Sequence, residues 1–150
     1  MVSVYDFFNK THKGLLNDVA RQMVYIIDDD ESVRKALARL MSSAGMESMS
    51  CSSVDEFLAL DVHAEQSCVV ADVEVPGTST LQLPKLLAER HLHLPVVFIT
   101  ADDSPHTRSN AKFYGGAAYF RKPVDGQALL DVIAWLFTNQ MEPSVRDVVR

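Results

Sequence analysis

Cysteine is scarce in this sequence, and no long apolar run occurs in it. Two cysteines, Cys51 and Cys68, stand among 150 residues. They are too few for a disulfide framework, so we expect two buried free thiols. No apolar run approaches the roughly 18 residues of a membrane span, and residues 1–22 lack the apolar stretch of a signal peptide. These absences predict a cytoplasmic protein that does not enter the membrane.

Positive charge is also in the minority. The chain carries 14 Lys and Arg against 20 Asp and Glu, which gives a net charge of −6 at pH 7. An acidic chain has no general affinity for nucleic acid. The C-terminal tail, residues 139–150, is too short for a helix-turn-helix domain. We therefore expect no contact with nucleic acid by this chain.

The sequence does contain a regular alternation of strand-like and helix-like segments. There are five apolar strand-like segments, at residues 23–27, 46–51, 67–71, 95–100 and 117–121. There are also five helical segments, at residues 32–45, 53–60, 83–92, 104–116 and 125–139. Such alternation is typical of parallel βαβ units with helices on both faces of the sheet. We therefore predict an α/β fold, a flavodoxin-like doubly wound sheet of five parallel strands in the order 2-1-3-4-5.

A proline lies in the third helical segment. Because proline is tolerated only in the first turn of a helix, Pro84 requires that this helix begin near Leu83. The preceding loop, residues 73–82, is then predicted to be irregular.

Polar residues stand where the predicted strands end. Asp28 and Asp29 follow the first strand, Asp72 ends the third, Thr100 ends the fourth, and Lys122 follows the fifth. In a sheet of this type, ligands bind beyond the carboxyl ends of the strands. Carboxylates brought together there need a cation, and Mg²⁺ suits a few carboxylates with retained waters. A metal, a lysine and a carboxylate together favour phosphoryl chemistry, with the carboxylate as the attacking group.

Each of these residues, taken alone, also fits an ordinary structural role. Acidic residues before a helix often act as caps, a strand-end threonine packs as a β-branched residue, and a lysine after a strand is often solvated. The interpretation as a site depends on their joint arrangement at one edge of the predicted sheet.

Four motifs carry a family resemblance: "IIDDDESVR", "VVADVEVPG", "VVFITA" and "YFRKPV", in that order and each at a strand end. With them the sequence resembles the receiver domain of two-component response regulators over residues 23–138. Residues 1–22 are then an N-terminal extension, helical or disordered, and residues 139–150 a C-terminal tail.

The resemblance assigns roles to the acidic residues. Asp72 matches the phosphoacceptor, and Asp28 and Asp29 match the acidic pair that holds Mg²⁺ together with Asp72. The main-chain carbonyl of Glu74 matches the third protein ligand. Asp30 and Glu31 match no ligand, and we expect them to favour the start of the first helix through its dipole.

The resemblance also assigns the switch residues. Thr100 matches the hydroxyl that binds a phosphoryl oxygen, and Lys122 matches the lysine that pairs with the phosphoryl group. Tyr119 matches the aromatic ring that moves inward with the threonine. A cis peptide bond before Pro123 is implied as well. Glu74 and Asp102 add negative charge at positions that tune the phosphoryl lifetime in the family.

The implied function is a Mg²⁺-dependent phosphorylation switch. A sensor histidine kinase or a histidine phosphotransfer protein would be its donor. Phosphorylation would alter the face formed by the fourth helix, fifth strand and fifth helix, through which we expect a homodimer or partner docking. The chain would catalyse its own phosphorylation and dephosphorylation, so we do not class it as a conventional enzyme.

Two other functions remain open at this point. One is a pseudo-receiver that acts as a phosphorylation-independent interaction module, although the five matching site residues argue against it. The other is a flavodoxin-like protein that binds flavin mononucleotide, where the four consecutive acids of residues 28–31 would repel the flavin phosphate.

Overall fold

The computed structural model describes residues 22–141. The predicted N-terminal extension therefore lies outside the described residues except for its last residue, as does most of the predicted tail. Within residues 22–141, no helix is both long enough and apolar enough to cross a membrane.

The described part of the chain alternates strands and helices as predicted. The strands are β1 (Met23–Ile27), β2 (Glu47–Cys51), β3 (Ser67–Asp72), β4 (Val96–Thr100) and β5 (Ala118–Arg121). The α-helices are α1 (Glu31–Ser43), α2 (Val54–Leu58), α3 (Leu83–Glu89), α4 (Pro105–Phe113) and α5 (Gly126–Met141). The strands form one parallel sheet in the order β2-β1-β3-β4-β5. The predicted fold is confirmed.

Side chains alternate between two apolar layers, one on each face of the sheet. On one face, Tyr25, Val69 and Phe98 pack with residues of α2, α3 and α4. On the other, Ile26 and Val70 pack with residues of α1 and α5. Because β1, β3 and β4 are buried on both faces, their sequences read as continuous apolar runs. The two apolar layers hold the sheet in position, and the sheet in turn determines where each strand ends.

The register of the sheet brings the carboxyl ends of four strands to one edge. Ile27 lies beside Ala71, Asp72 beside Ile99, and Thr100 beside Arg121. The residues that follow or end these strands are therefore neighbours in space although they are far apart along the chain.

The start of α1 follows from a short polar side chain. Asp30 is the N-cap of α1, and its carboxylate accepts a hydrogen bond from the amide of Ser32. This contact satisfies one of the free amides of the first turn. The hydrogen bond from the Ser32 hydroxyl, followed by the one from the Ser32 amide, lowers the pKa of Asp30. Asp30 thus favours the start of α1, as predicted, and it does so by capping the helix directly.

The start of the third helix lies where Pro84 requires it. A 3₁₀ turn at Thr80–Gln82 leads into α3, which begins at Leu83 with the proline in its first turn. The hydroxyl of Thr80, fully buried, donates to the main-chain carbonyl of Asp72 at 2.8 Å. The irregular loop 73–82 is therefore tied back to the strand from which it departs.

Both cysteines are buried and free, as predicted. Burial raises the pKa of Cys51 to about 11 and that of Cys68 to about 12. Both thiols are therefore protonated at neutral pH, which makes them poor nucleophiles.

Candidate functional site

The predicted site residues meet at the carboxyl edge of the sheet. Asp72 is the last residue of β3, Thr100 is the last residue of β4, and Asp28 directly follows β1. Their exposed fractions are 3%, 0% and 0%. Three polar side chains buried so deeply need partners close by, because an unpaired buried polar group is costly.

Lys122 supplies the cationic partner. Its Nζ lies 2.6 Å from Oδ2 of Asp72 and 3.3 Å from Oδ2 of Asp28. The main-chain amide of Lys122 donates to the carbonyl of Thr100 at 2.8 Å, which fixes the start of the lysine beside the end of β4. The peptide bond between Lys122 and Pro123 is cis, as the resemblance implied. One ammonium thus neutralises one of two nearly inaccessible carboxylates.

The pKa shifts follow from burial and from these charges. Burial raises the pKa of Asp28 and the carboxylate of Asp72 adds to that rise, against the lowering effect of the hydrogen bond from the Asp30 amide. Burial alone would lower the pKa of Lys122, but the hydrogen bond to Asp72 and the charge of Asp28 outweigh it. The net pKa of Lys122 is raised, so its ammonium stays charged.

The carboxylates also form a donor set that fits a metal ion. Asp28, Asp29 and Asp72 each offer an oxygen, and these oxygens lie within 4.8 Å of one another. Asp29 is exposed, whereas the other two are buried, so a cation held by the three would face solvent on one side. Hard oxygen ligands with room for retained waters suit Mg²⁺. The predicted ligands Asp28, Asp29 and Asp72 are therefore brought together.

The carboxylate of Asp72 is held by two donors. Oδ2 accepts from Lys122, and Oδ1 accepts from the main-chain amide of Glu74 at 2.8 Å. The second contact closes a tight turn directly after β3 and keeps the main chain of Glu74 next to the carboxylate of Asp72. The role of its carbonyl as a metal ligand stays a prediction.

Asp28 has partners that sequence reasoning missed. Its Oδ1 accepts from the amide of Asp30 at 2.9 Å, and its main-chain carbonyl accepts from Nη1 of Arg34 at 2.8 Å. Arg34 lies in the first turns of α1, one helical turn after the acidic run. The only sequence signal for this contact was a basic residue one helical turn after the acidic run, and such a signal is weak.

The side chain of Glu74 makes a second contact set that the sequence did not predict. Its Oε1 accepts from the Thr100 hydroxyl at 2.7 Å and from the Asp102 amide at 2.8 Å, and its Oε2 accepts from the Ala101 amide at 3.3 Å. We call this contact set the Glu74 bridge. It connects the loop after β3 with the end of β4.

Tyr119 lies at the far end of the same region. Its hydroxyl donates to the main-chain carbonyl of Asp102 at 3.4 Å. The guanidinium carbon of Arg108 lies 5.6 Å from the ring centroid, and Arg108 is paired through both carboxylate oxygens with Asp103, at 2.6 and 2.8 Å. Burial, followed by the charge of Asp103, raises the pKa of Tyr119. The predicted switch residue is thus half-buried and connected through Asp102 to the Glu74 bridge.

The substitution Asp29→Ala tests the metal site. Because Asp29 is exposed beside two other carboxylates, its removal relieves repulsion. We expect the free energy of unfolding in metal-free buffer to stay equal or to rise by about 0.5 kcal/mol. Mg²⁺ binding, measured by calorimetry, should weaken by about tenfold or more.

Glu31→Ala is the matched control for Asp29→Ala. Glu31 is an exposed acid of the same run, and it pairs with Lys35 at 3.1 Å. Its loss should leave Mg²⁺ affinity nearly unchanged. A marked loss of thermal stability of Asp29→Ala in metal-free buffer would contradict the metal-site interpretation and favour a capping role.

Comparison with known proteins agrees with the geometry. A model of the response regulator receiver domain matches residues 24–134. The transcriptional regulatory protein TdiR of Thauera aromatica is 34% identical over 110 residues, which cover 73% of this chain and 48% of TdiR. Nodulation protein W of Bradyrhizobium diazoefficiens is 37% identical over 115 residues, which cover 75% of this chain and 50% of that protein. This chain thus spans about half the length of these relatives.

A solved structure shows the same architecture. The structure of the response regulator StyR matches with a TM-score of 0.72 and 35% sequence identity, and the match covers 85% of this chain and 65% of the StyR chain. The likeness therefore extends from the sequence to the arrangement of the sheet and its helices.

Proposed function

The chain belongs to the response regulator receiver domain family, and on this basis we propose that it is a phosphorylation switch. Asp72 accepts the phosphoryl group, and the donor is the phosphohistidine of a sensor histidine kinase or a histidine phosphotransfer protein. The observation that carries the proposal is the contact of 2.6 Å between Lys122 and Asp72, which is one of three carboxylates close enough together to hold a metal ion.

The chemistry follows from the positions of these side chains. A carboxylate oxygen of Asp72 attacks phosphorus in line, an O–P bond forms, and the P–N bond to the donor imidazole breaks. Lys122 stays within reach of both the acceptor and the transferred oxygens, so its charge offsets theirs. When Mg²⁺ is bound by Asp28, Asp29, Asp72 and the carbonyl of Glu74, it supplies further neutralisation of the phosphoryl oxygens.

The phosphorylated acceptor then biases a conformational equilibrium. The acyl phosphate carries about −1.5 to −2 charge in place of −1. The Thr100 hydroxyl binds a phosphoryl oxygen, and Tyr119 follows because it is connected to the same loop. Hydrolysis of the acyl phosphate restores the first state. The chain modifies itself and turns over no separate metabolite, so it is not a conventional enzyme.

The output surface in this proposal is the face of α4, β5 and α5. Phe113 of α4 is 81% exposed and Trp135 of α5 is 63% exposed. Each of these two helices therefore presents a large apolar side chain to solvent. We propose that a second copy of the chain or a partner protein binds this face after phosphorylation. Neither nucleic acid nor membrane takes part in the proposal, and the site of action is the cytoplasm.

Labelling with a small phosphodonor tests the proposed function. Wild-type protein incubated with acetyl phosphate and Mg²⁺ should gain one phosphoryl group by intact-mass analysis. The adduct should be labile to base, as acyl phosphates are, and chelation of Mg²⁺ should prevent its formation. Sedimentation before and after addition of beryllofluoride, a phosphoryl mimic, should show whether self-association responds.

Absence of any adduct in the presence of Mg²⁺ would overturn the proposal. A phosphorylation-independent interaction module would then be the better interpretation of the same fold.

A further inference from the structure

We infer that Arg34 is a positioning residue of the metal site: its guanidinium holds the main-chain carbonyl of Asp28 and thereby orients Asp29. The inference rests on the proposed function, since it concerns the carboxylates that would hold Mg²⁺ there. Arg34 is not itself a metal ligand, because a guanidinium has no lone pair to offer. Its proposed action is on the main chain that carries two of the ligands.

The first argument is the main-chain carbonyl of Asp28. Asp28 is 0% exposed, and a buried carbonyl needs a hydrogen-bond donor. The amide of Asp28 still donates to the carbonyl of Cys51 on β2, at 3.1 Å, but the paired residues of β1 and β3 end at Ile27 and Ala71. The carbonyl of Asp28 accepts from Nη1 of Arg34 at 2.8 Å. Because this donor is charged, the hydrogen bond is stronger than one between neutral groups.

The second argument is the planarity of the peptide between Asp28 and Asp29. The carbonyl of Asp28 and the amide of Asp29 lie in one rigid plane, so a donor that fixes the carbonyl also fixes the direction of the chain at Asp29. Asp29 is exposed, so solvent rather than packing surrounds its carboxylate. The carboxylate of Asp28, by contrast, accepts directly from the Asp30 amide and from Lys122. Asp29 is therefore the ligand whose position depends most on Arg34.

The third argument is the way in which Arg34 is held in the fold. Its main-chain amide donates to the carbonyl of Asp30 at 3.0 Å, in the first turn of α1. Leu37 and Met41 of the same helix are buried in the apolar layer between α1 and the sheet. The guanidinium therefore extends from a packed helix, and Arg34 is itself half-buried. A side chain held in this way keeps a neighbouring peptide in one orientation before any metal binds.

The charge of Arg34 and its orienting contact have opposite effects on a bound cation. A positive charge near the site repels Mg²⁺, whereas a group that orients a ligand strengthens metal binding. The guanidinium lies near enough to Glu56 for its charge to help lower the pKa of that carboxyl, after the hydrogen bonds from Ser52, so an acid offsets part of the repulsion. The sign of the change in Mg²⁺ affinity therefore separates the two roles.

Arg34→Met tests the inference, because methionine keeps an unbranched side chain in α1 but has neither the donor nor the charge. We expect its Mg²⁺ affinity, measured by calorimetry, to fall by about tenfold, as is typical when a group that orients a metal ligand is lost. Arg34→Lys, which retains the charge and a donor, should lie between wild type and Arg34→Met. Unchanged or tighter Mg²⁺ binding by Arg34→Met would overturn the inference.

Lys35→Met is the matched control. Lys35 is the next residue of α1, and its ammonium pairs with Glu31 at 3.1 Å. The substitution removes one positive charge from the same turn of the helix and leaves the contact of Arg34 with Asp28 in place. Its Mg²⁺ affinity should stay close to that of wild type, since exposed charges are screened by salt. A tenfold loss in Lys35→Met as well would show that the contact of Arg34 is not the cause.

Ca²⁺ provides a second readout, which a general loss of stability would not produce. Mg²⁺ requires a nearly octahedral set of ligands, whereas Ca²⁺ accepts flexible arrangements of oxygen atoms. Arg34→Met should therefore lose less affinity for Ca²⁺ than for Mg²⁺. Equal losses for the two ions would mean that the variant has lost a ligand or its fold rather than the orientation of Asp29, and the positioning role would be wrong.

Amide hydrogen exchange of the metal-free proteins tests the contact without any metal. The amide of Asp30, which donates to Oδ1 of Asp28 across the turn, should exchange faster in Arg34→Met than in wild type. The amides of Leu37 and Met41 should keep their protection, because the apolar face of α1 is unchanged. Equal exchange of the Asp30 amide in both proteins would show that Arg34 does not hold the turn.

The positioning role and the proposed function can fail separately. A wild-type protein that binds Mg²⁺ but takes up no phosphoryl group from acetyl phosphate would overturn the phosphorylation switch, while the metal affinities of the Arg34 variants still decide the positioning role. A wild-type protein that binds no Mg²⁺ in calorimetry would overturn the positioning role itself.

Discussion

Asp72→Asn should abolish stable phosphorylation by acetyl phosphate. The amide of asparagine is a poor nucleophile, whereas the carboxylate of Asp72 is a better one and is held in place by Lys122 and by the Glu74 amide. The substitution leaves the contact of Lys122 with Asp28 in place, so the site keeps a paired lysine. Intact-mass analysis should show no adduct, and thermal unfolding should show a folded protein.

The control for this result is Asp61→Asn. Asp61 has a side chain that is 98% exposed and lies outside the acidic cluster. This variant should be phosphorylated as wild type is. One phosphoryl group on Asp72→Asn would mean that another carboxylate, such as Asp28 or Asp29, is the acceptor.

Lys122→Met should have the second largest effect, and it acts on both stability and reaction rate. Asp28 and Asp72 have side chains that are only 1% and 4% exposed, and Lys122 is their shared cationic partner. Removing it leaves two buried carboxylates facing each other. We expect the free energy of unfolding in metal-free buffer to fall by about 2 kcal/mol, less than for a fully buried pair because Lys122 is partly exposed.

The rate of phosphorylation of Lys122→Met should fall by about 100-fold, since a positive charge aimed at the developing phosphoryl charge is lost. Mg²⁺ should stabilise this variant more than it stabilises wild type, because the metal binds a cluster with greater uncompensated charge. Denaturant unfolding in chelator and in Mg²⁺ measures both effects.

Lys85→Met serves as the control, since Lys85 is an exposed residue of α3. Its stability should change little in either buffer. If Lys122→Met and Lys85→Met unfold at the same denaturant concentration in chelator, Lys122 does not compensate the buried carboxylates.

Much of the site followed from the sequence because the fold is parallel. Each strand end in such a sheet delivers its residue to the same edge, so Asp28, Asp72 and Thr100 could be placed together from the order of apolar segments alone. Lys122 required one further step, because its place depends on β5 lying beside β4. These predictions use main-chain topology, which short apolar strands specify well.

The contacts of Glu74 and Arg34 could not be predicted in the same way. Each depends on side-chain torsions and on a loop or helix turn whose direction no pattern of apolar residues encodes. From the sequence, Glu74 was assigned a main-chain ligand role and a negative charge near Asp72. The contacts of its carboxylate with a hydroxyl at the end of β4 and with two amides just after that strand were not predicted. Exposed acidic residues in loops carry little sequence signal for such contacts.

The end of β5 limits how copies of this chain can aggregate. β5 is the outermost strand on its side of the sheet and has four residues, Ala118–Arg121. Pro123 comes two residues later and has no amide proton with which to extend a ladder of hydrogen bonds. A short edge strand that stops at proline is a poor template for strand addition or for growth of a fibril. On this side of the molecule, contacts with another protein would therefore form more readily through helix surfaces than through the edge of the sheet.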